Sequence, residues 1–364
     1  MHSRILALAA LLGACTGTGG QVPAPVAKPV AISTPVVTPS PAPVVARPAA
    51  PRRPFVFLRP FDGGAQAELW LPGEPPRALG VHAEFGGGEA GVGSGSPRLS
   101  PDGSWLAFIV KNGSTLTLRR VDGTREAIVA TYPTDSVELL ISGWAPDGQS
   151  LLYHLGEVDD DEGTRLPRGA LAGFYRVQLA DLKPTRVPGL AAFEAWLADG
   201  SGVIYQREVD REGTFSALMR VELAPAAKPI SLYEIDAPFG FGQLTLRGDE
   251  VVFVHDAAIV RSKLDGSGRE SLTPRGQFAQ YQRPRRSPDG ERLAYLDERT
   301  IKVITLEQKE PMTVLTCEAR RCEYAWESDD SLLVVDSGEL RRVGLDGAAT
   351  PIADRVLGFA VAGQ

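Results

Sequence analysis

The sequence predicts an all-β protein made of repeated four-stranded antiparallel blades closed into a ring. Three observations carry that reading. A Pro-Asp-Gly turn recurs at Asp102-Gly103, Asp147-Gly148 and Asp289-Gly290. Each turn is followed at fixed spacing by a short apolar run that ends in an aromatic residue. Outside the N-terminal leader no segment carries long apolar spacing at 3.6 residues, so helices are expected to be scarce.

The turn chemistry explains why these residues recur. Proline presets φ at the first corner, aspartate bonds to nearby backbone, and glycine accepts the left-handed exit. With each Asp as position zero, an apolar triplet falls at plus four to plus six. Asp102 gives Leu106-Ala107-Phe108, Asp147 gives Leu151-Leu152-Tyr153, and Asp289 gives Leu293-Ala294-Tyr295. Asp199-Gly200 gives Val203-Ile204-Tyr205. Two weaker copies fit the same frame from Arg247 (Val251-Val252-Phe253) and Asp329 (Leu333-Val334-Val335). Trp144, Trp196 and Trp326 each stand three residues before their Asp, so the register holds on both sides of the turn. The aromatics at plus six are expected to pack between blades.

Each triplet leads to a second strand and often a second Asp turn, as at Asp122-Gly123, Asp181 and Asp346-Gly347. Turn, strand, turn, strand and a link make one propeller blade. A repeat interval of roughly 40 to 50 residues suits that unit. At the ends, Phe55-Val56-Phe57 has no turn before it, and Val356 to Val361 has no triplet after it. Pairing these halves supplies one further blade, which predicts seven blades, with six as the alternative if the terminal segments only cap the ring. Closure also removes the exposed edges that an open sheet would leave.

The pattern Ser-Pro-Asp-Gly-x-x-Leu-Ala-Phe/Tyr resembles the TolB-like, or PD40 (WD40-like), β-propeller repeats of exported bacterial proteins. The resemblance spans roughly residues 55 to 364. It implies a propeller and carries no shared catalytic residue. The additional N-terminal domain of TolB is replaced here by a Pro-rich segment, so a role in the Tol-Pal system is not carried over. Related propellers precede a hydrolase domain in some peptidases, whereas this sequence ends with the propeller.

Residues 1–14 read as a lipoprotein signal peptide: Arg4, an apolar stretch from Ile5 to Leu12, then Gly13 and Ala14. Leu12-Gly13-Ala14-Cys15 resembles the bacterial lipobox, which would make Cys15 the acylated N-terminus carrying palmitate-like chains. Thr16 follows in place of an inner-membrane retention Asp, which points to the outer membrane. Residues 15–54 are expected to be a disordered tether, because ten prolines among residues 21–54 cannot build a core. As polyproline II those 34 residues would reach roughly 105 Å at about 3.1 Å each. Residues 1–54 hold five basic and no acidic side chains; the net charge of −7 therefore leaves −12 on the propeller. Such a surface argues against nucleic acid as a partner.

Cys317 and Cys322 remain as an even pair in an exported chain, which favours a disulfide; a metal site is the rival reading. Asp159, Asp160, Asp161 and Glu162 form an acidic loop and a weak Ca²⁺ candidate, although their spacing does not match an alternating Asp loop with a distal Glu. A solvated loop is the simpler account. His82, His154 and His255 are scattered; the latter two follow triplet aromatics and read as strand-end residues. No nucleophile elbow, His-Glu-x-x-His or phosphate loop occurs. The expectation is therefore a non-enzymatic, monomeric lipoprotein of the outer membrane, facing periplasm or cell surface. It would need no cofactor and would serve as a scaffold for an envelope protein. The alternative is a ligand-binding or enzymatic propeller that takes a glycan or peptidoglycan fragment at the channel mouth.

Overall fold

The computed structural model describes residues 51–363 apart from 62–63, 84–96, 111–113, 133–136, 158–171, 191–194, 209–214, 225–226, 237–243, 277–280 and 320–321. Every regular element among them is a strand. The strands form seven four-stranded antiparallel sheets, as the repeat predicts.

Blade 1 runs, from the inside outwards, Gly358–Val361, Phe55–Phe61, Gly64–Trp70 and Arg77–Ala83. Blades 2 to 6 begin on the inside with Arg98–Leu99, Val137–Trp144, Ala195–Trp196, Leu244–Arg247 and Tyr281–Arg286. Blade 7 begins with Glu323–Trp326, and its next strand is Ser331–Asp336. Each blade after the first is a simple meander, so hairpin follows hairpin without crossing connections. Blade 1 alone takes its inner strand from the far end of the chain. Phe55 stands opposite Val361, Val56 opposite Ala360, Phe57 opposite Phe359 and Leu58 opposite Gly358. The closing strand begins at Gly358, two residues later than expected; Val356 instead donates its N–H to the Gly338 carbonyl at 2.7 Å.

Seven apolar clusters hold the blades together, one in each seam. The triplets explain this arrangement. Successive side chains on a strand point to opposite faces, and each face of a blade meets a neighbour. Thus Leu106 and Phe108 pack towards blade 1, while Ala107 packs towards blade 3. The aromatics at plus six, Tyr153, Tyr205, Phe253 and Tyr295, each enter the seam with the preceding blade and are almost fully buried. Burying one such side chain is worth roughly 1.5–3 kcal/mol.

The closing seam between blades 7 and 1 adds a charged feature. Phe55 stacks on Trp70 with ring centroids 4.9 Å apart, and the Arg342 guanidinium lies over the Trp70 ring at 4.9 Å. Arg342 also donates Nη2–H to Oε1 of the fully buried Glu327 at 2.6 Å, and its Nε–H to Oε2. An unpaired carboxylate there would be costly; Arg342 supplies the partner.

Register corrects the two weak repeats. At the four strong turns, position minus three faces plus four, as Leu99 does Leu106 and Trp144 does Leu151. In blade 7 Trp326 faces Leu332, so that turn is one residue shorter and its triplet starts at Leu332. In blade 5 Arg247 pairs Glu250 across a two-residue Gly248-Asp249 hairpin, so Leu246 takes the minus-three place opposite Val251. A two-residue loop reverses the chain without the proline corner, which is why the motif is absent there.

Removing residues 358–364 would leave Phe55–Leu58 as an open inner edge and expose the apolar face of blade 7. We expect a loss of about 3–6 kcal/mol, from the two large buried side chains Phe359 and Val361, together with aggregation. Thermal melting and light scattering of the truncated chain test this. A truncated chain that stays monomeric and melts like the parent would remove the structural role of closure.

Candidate functional site

The inner strands enclose the central channel, and one repeated contact fixes their backbone. Trp144 donates its indole N–H to the Arg98 carbonyl at 3.0 Å, Trp196 to Gly143 at 3.2 Å, and Trp326 to Arg285 at 2.8 Å. In repeat terms, the tryptophan at minus three of one blade bonds the carbonyl at minus four of the blade before it. The two positions alternate in direction. Minus three is buried in the seam at Leu99, Trp144, Trp196 and Trp326. Minus four turns the other way; it is small at Gly143, Ala195 and Ala325, the last buried in the seam between blades 7 and 1, but arginine at Arg98 and Arg285.

Arg285 is exposed to water on the inner strand of blade 6. Arg98, on blade 2, lies close enough to Arg285 on blade 6 and Glu323 on blade 7 for their charges to act on it. Blades 2 and 6 share no seam, so this electrostatic influence acts across the ring. Arg283 joins them, with its Nη1 3.9 Å from Glu323 Oε1 and 3.2 Å from the Cys322 carbonyl. Arg283 has φ +53°, in a bulge that shifts the pairing between Gln282 and Arg285. Bulges of this kind re-aim side chains. Tyr324 donates its hydroxyl to the Arg283 carbonyl and fixes that distortion.

Electrostatics follow from crowding. Burial first, and then the Arg285 charge, push Arg98 down from its ordinary value, with Glu323 opposing. Burial first also lowers Arg285; Tyr324 opposes this, Arg283 adds to it, and Glu323 opposes it. Glu323 is pushed up by burial, and the three arginines only partly offset this. Burial likewise raises Tyr324, which keeps it a neutral phenol. Three guanidinium groups therefore share one carboxylate. The Nε of Arg98 is buried with no hydrogen-bond partner. The neighbouring Arg286, in a minus-three place, forks both Nη groups onto Glu250 Oε2 at 3.1 Å each, while its Nε is likewise buried without a partner.

The turn aspartates gather at one rim but spend their oxygens on their own loops. Asp102 Oδ1 accepts the Ser104 N–H at 3.0 Å, Asp147 that of Gln149 at 2.8 Å, Asp199 that of Ser201 at 3.0 Å and Asp289 that of Glu291 at 3.0 Å. Neighbouring turns touch, with the Asp289 N–H donating to Asp329 Oδ1 at 2.8 Å. Gly103 (φ +72°) and Gly290 (φ +71°) need the left-handed region, and Gly148 and Gly200 share it. At Gly103 an added Cβ would also stand 2.8 Å from Pro54 Cγ. These residues build the fold, each through at least one carboxylate oxygen.

Cys317 and Cys322 are joined as a disulfide with Cα atoms 6.1 Å apart, between blades 6 and 7. Asp336 accepts the Glu318 and Ala319 N–H groups at 2.8 and 2.9 Å and pins the intervening loop. His154 lies inside a strand with its ring 4.5 Å from Phe174, and His255 ends the strand Glu250–His255. Asp159, Asp160, Asp161, Glu162 and Cys15 lie outside the described residues. Among the described residues no group of three metal-ligating side chains converges.

No known protein family matches the chain, and no curated protein does. Solved structures match the fold. A puromycin-hydrolysing peptidase of Mycobacterium tuberculosis has 14% identity and TM-score 0.55 over 86% of this chain and 56% of its own. The chain thus spans little more than half of that peptidase. A functionally unknown protein of Desulfotomaculum acetoxidans has 13% identity and TM-score 0.52 over 84% of this chain and 98% of its own. An oligogalacturonate lyase of Vibrio parahaemolyticus has 11% identity and TM-score 0.51 over 84% of this chain and 87% of its own. At such identities the likeness establishes the propeller and nothing finer.

The channel arginines were not singled out by the repeat reading. Aligning the minus-four positions would have exposed them: arginine twice where glycine or alanine suffices elsewhere. Glu323 offers a pH test. Its folded pKa is raised, so below the ordinary glutamate range it is protonated in both states and contributes no destabilisation. As pH rises from that range through the folded value, the unfolded chain ionises first and the folded chain loses stability. Glu323→Gln removes this titration. The variant should match or exceed the parent in melting temperature, with a gain that grows from pH 4 towards neutrality. A gain that is constant or inverted across that range would refute the assignment.

Proposed function

We propose that this chain is a lipoprotein of the bacterial outer membrane whose propeller serves as an interaction scaffold for an envelope protein. The observation that carries the reading is a closed seven-bladed ring following a Pro-rich segment that begins at a lipobox, Leu12 to Cys15. A ring stiffened by seven apolar seams is suited to present loops without moving. The tether would let it reach a partner at a distance from the membrane, and the acyl chains on Cys15, at about 0.8 kcal/mol per buried methylene, would keep it there.

A second reading is favoured by one specific observation, the arginines at the centre of the ring. They support a ligand-binding propeller that takes a glycan or peptidoglycan fragment at the channel mouth. The lyase among the structural matches acts on oligogalacturonate by its name, and that resemblance is compatible with an acidic sugar ligand here.

Membrane fractionation tests the first reading. Cys15→Ser should shift the protein from the outer-membrane fraction to the soluble one or block its maturation. Cross-linking of the parent should capture a defined envelope protein through the propeller. Unchanged fractionation of the variant would overturn the anchor.

A further inference from the structure

We propose that the central channel holds a binding site for a small doubly charged oxyanion, formed by Arg98 and Arg285 with Arg283 and Glu323 beside them. This rests on, and sharpens, the ligand-binding reading above. The carrier is an imbalance of charge in an enclosed place. Arg98, Arg283 and Arg285 converge on a single carboxylate, and Arg283 stands nearest to it, at 3.9 Å from Glu323. Arg98 and Arg285 donate no side-chain hydrogen bond to any described residue, although the backbone carbonyl of each is held by a tryptophan. The Nε of Arg98 is buried without a partner, as are those of Arg59, Arg176, Arg220 and Arg286, so the Nη groups are what mark this pair.

Such an arrangement is costly for the fold on its own. A partly buried guanidinium such as Arg98 is normally paired, and like charges held near one another destabilise. Folding alone would favour the Gly, Ala and Ala found at Gly143, Ala195 and Ala325. The rest of the propeller is strongly acidic, yet none of that charge among the described residues is brought to Arg98 beyond Glu323. Guanidinium groups are planar forks that match carboxylate and phosphate oxygens in pairs of hydrogen bonds. Two of them facing across a channel suit an anion with two charges: one phosphate bridging both, or two carboxylates of one molecule, one for each arginine. Both sources present the same chemistry to the site.

Isothermal titration of the full chain at low salt tests the inference, with inorganic phosphate, glutarate and the neutral sugar diacetylchitobiose as probes. We expect saturable binding of phosphate or glutarate, and whichever binds more tightly identifies the source. Arg98→Gln and Arg285→Gln should each weaken that binding about 10- to 100-fold, the loss of a charge-assisted contact. Glu323→Gln, which removes the competing carboxylate, should tighten it several-fold; a merely structural role would not produce that gain. If the arginine variants do not fold, the sign of the Glu323→Gln effect decides. Dianion binding that is equal in parent and variants overturns the site. Binding of diacetylchitobiose alone, unchanged by the substitutions, overturns the anion site while retaining the ligand-binding reading. Failure of all three probes overturns the anion site and removes the observation that favoured that reading.

Discussion

Everything in this molecule depends on four residues of sequence-distant pairing, Phe55 to Leu58 against Gly358 to Val361. A blade strand that is apolar on both faces is stable only between two neighbours, and an open row of blades would leave one face bare at each end. Closing the ring removes both. The closing seam is also where the buried Glu327–Arg342 pair and the Trp70 contact sit. The ion pair lies within blade 7, and only the Arg342 guanidinium's contact with the Trp70 ring crosses to blade 1. Apolar area supplies the drive, and the strand pairing supplies the alignment.

The fold was legible because the turns are chemically demanding. Asp102, Asp147, Asp199 and Asp289 each must accept a backbone N–H two residues on, and the following glycine must enter the left-handed region. Few residues can do either, so the positions stand out even in one sequence. Blade 5 was misframed for the converse reason. Its Gly248-Asp249 hairpin has two residues, needs no proline corner, and leaves Arg247 in the strand. Where the physical demand lapses, the motif lapses with it. Blade 7 lies between these cases, with Ser328 and Asp330 bonded to each other in a turn shortened by one residue.

The candidate site was far less visible. A charge at one position in a repeat has no local signature, since Arg98 and Arg285 are 187 positions apart and only the ring brings their charges within reach of each other. Periodicity reports which side of a strand a residue occupies; it does not say that this side borders a channel. The tryptophans at minus three carried the missing clue, because a buried indole needs an acceptor. That acceptor proves to be the carbonyl of the channel residue one blade back.

Those indole bonds have a further consequence for how the channel can behave. Arg98 and Arg285 project from backbone that the following blade grips through Trp144 and Trp326, and each tryptophan is itself wedged in an apolar seam. The bore cannot widen without breaking several of these grips together. It therefore acts as a fixed gauge rather than a closing hand. Selectivity among its ligands would be set by size and by the spacing of their charges, with little contribution from rearrangement on binding.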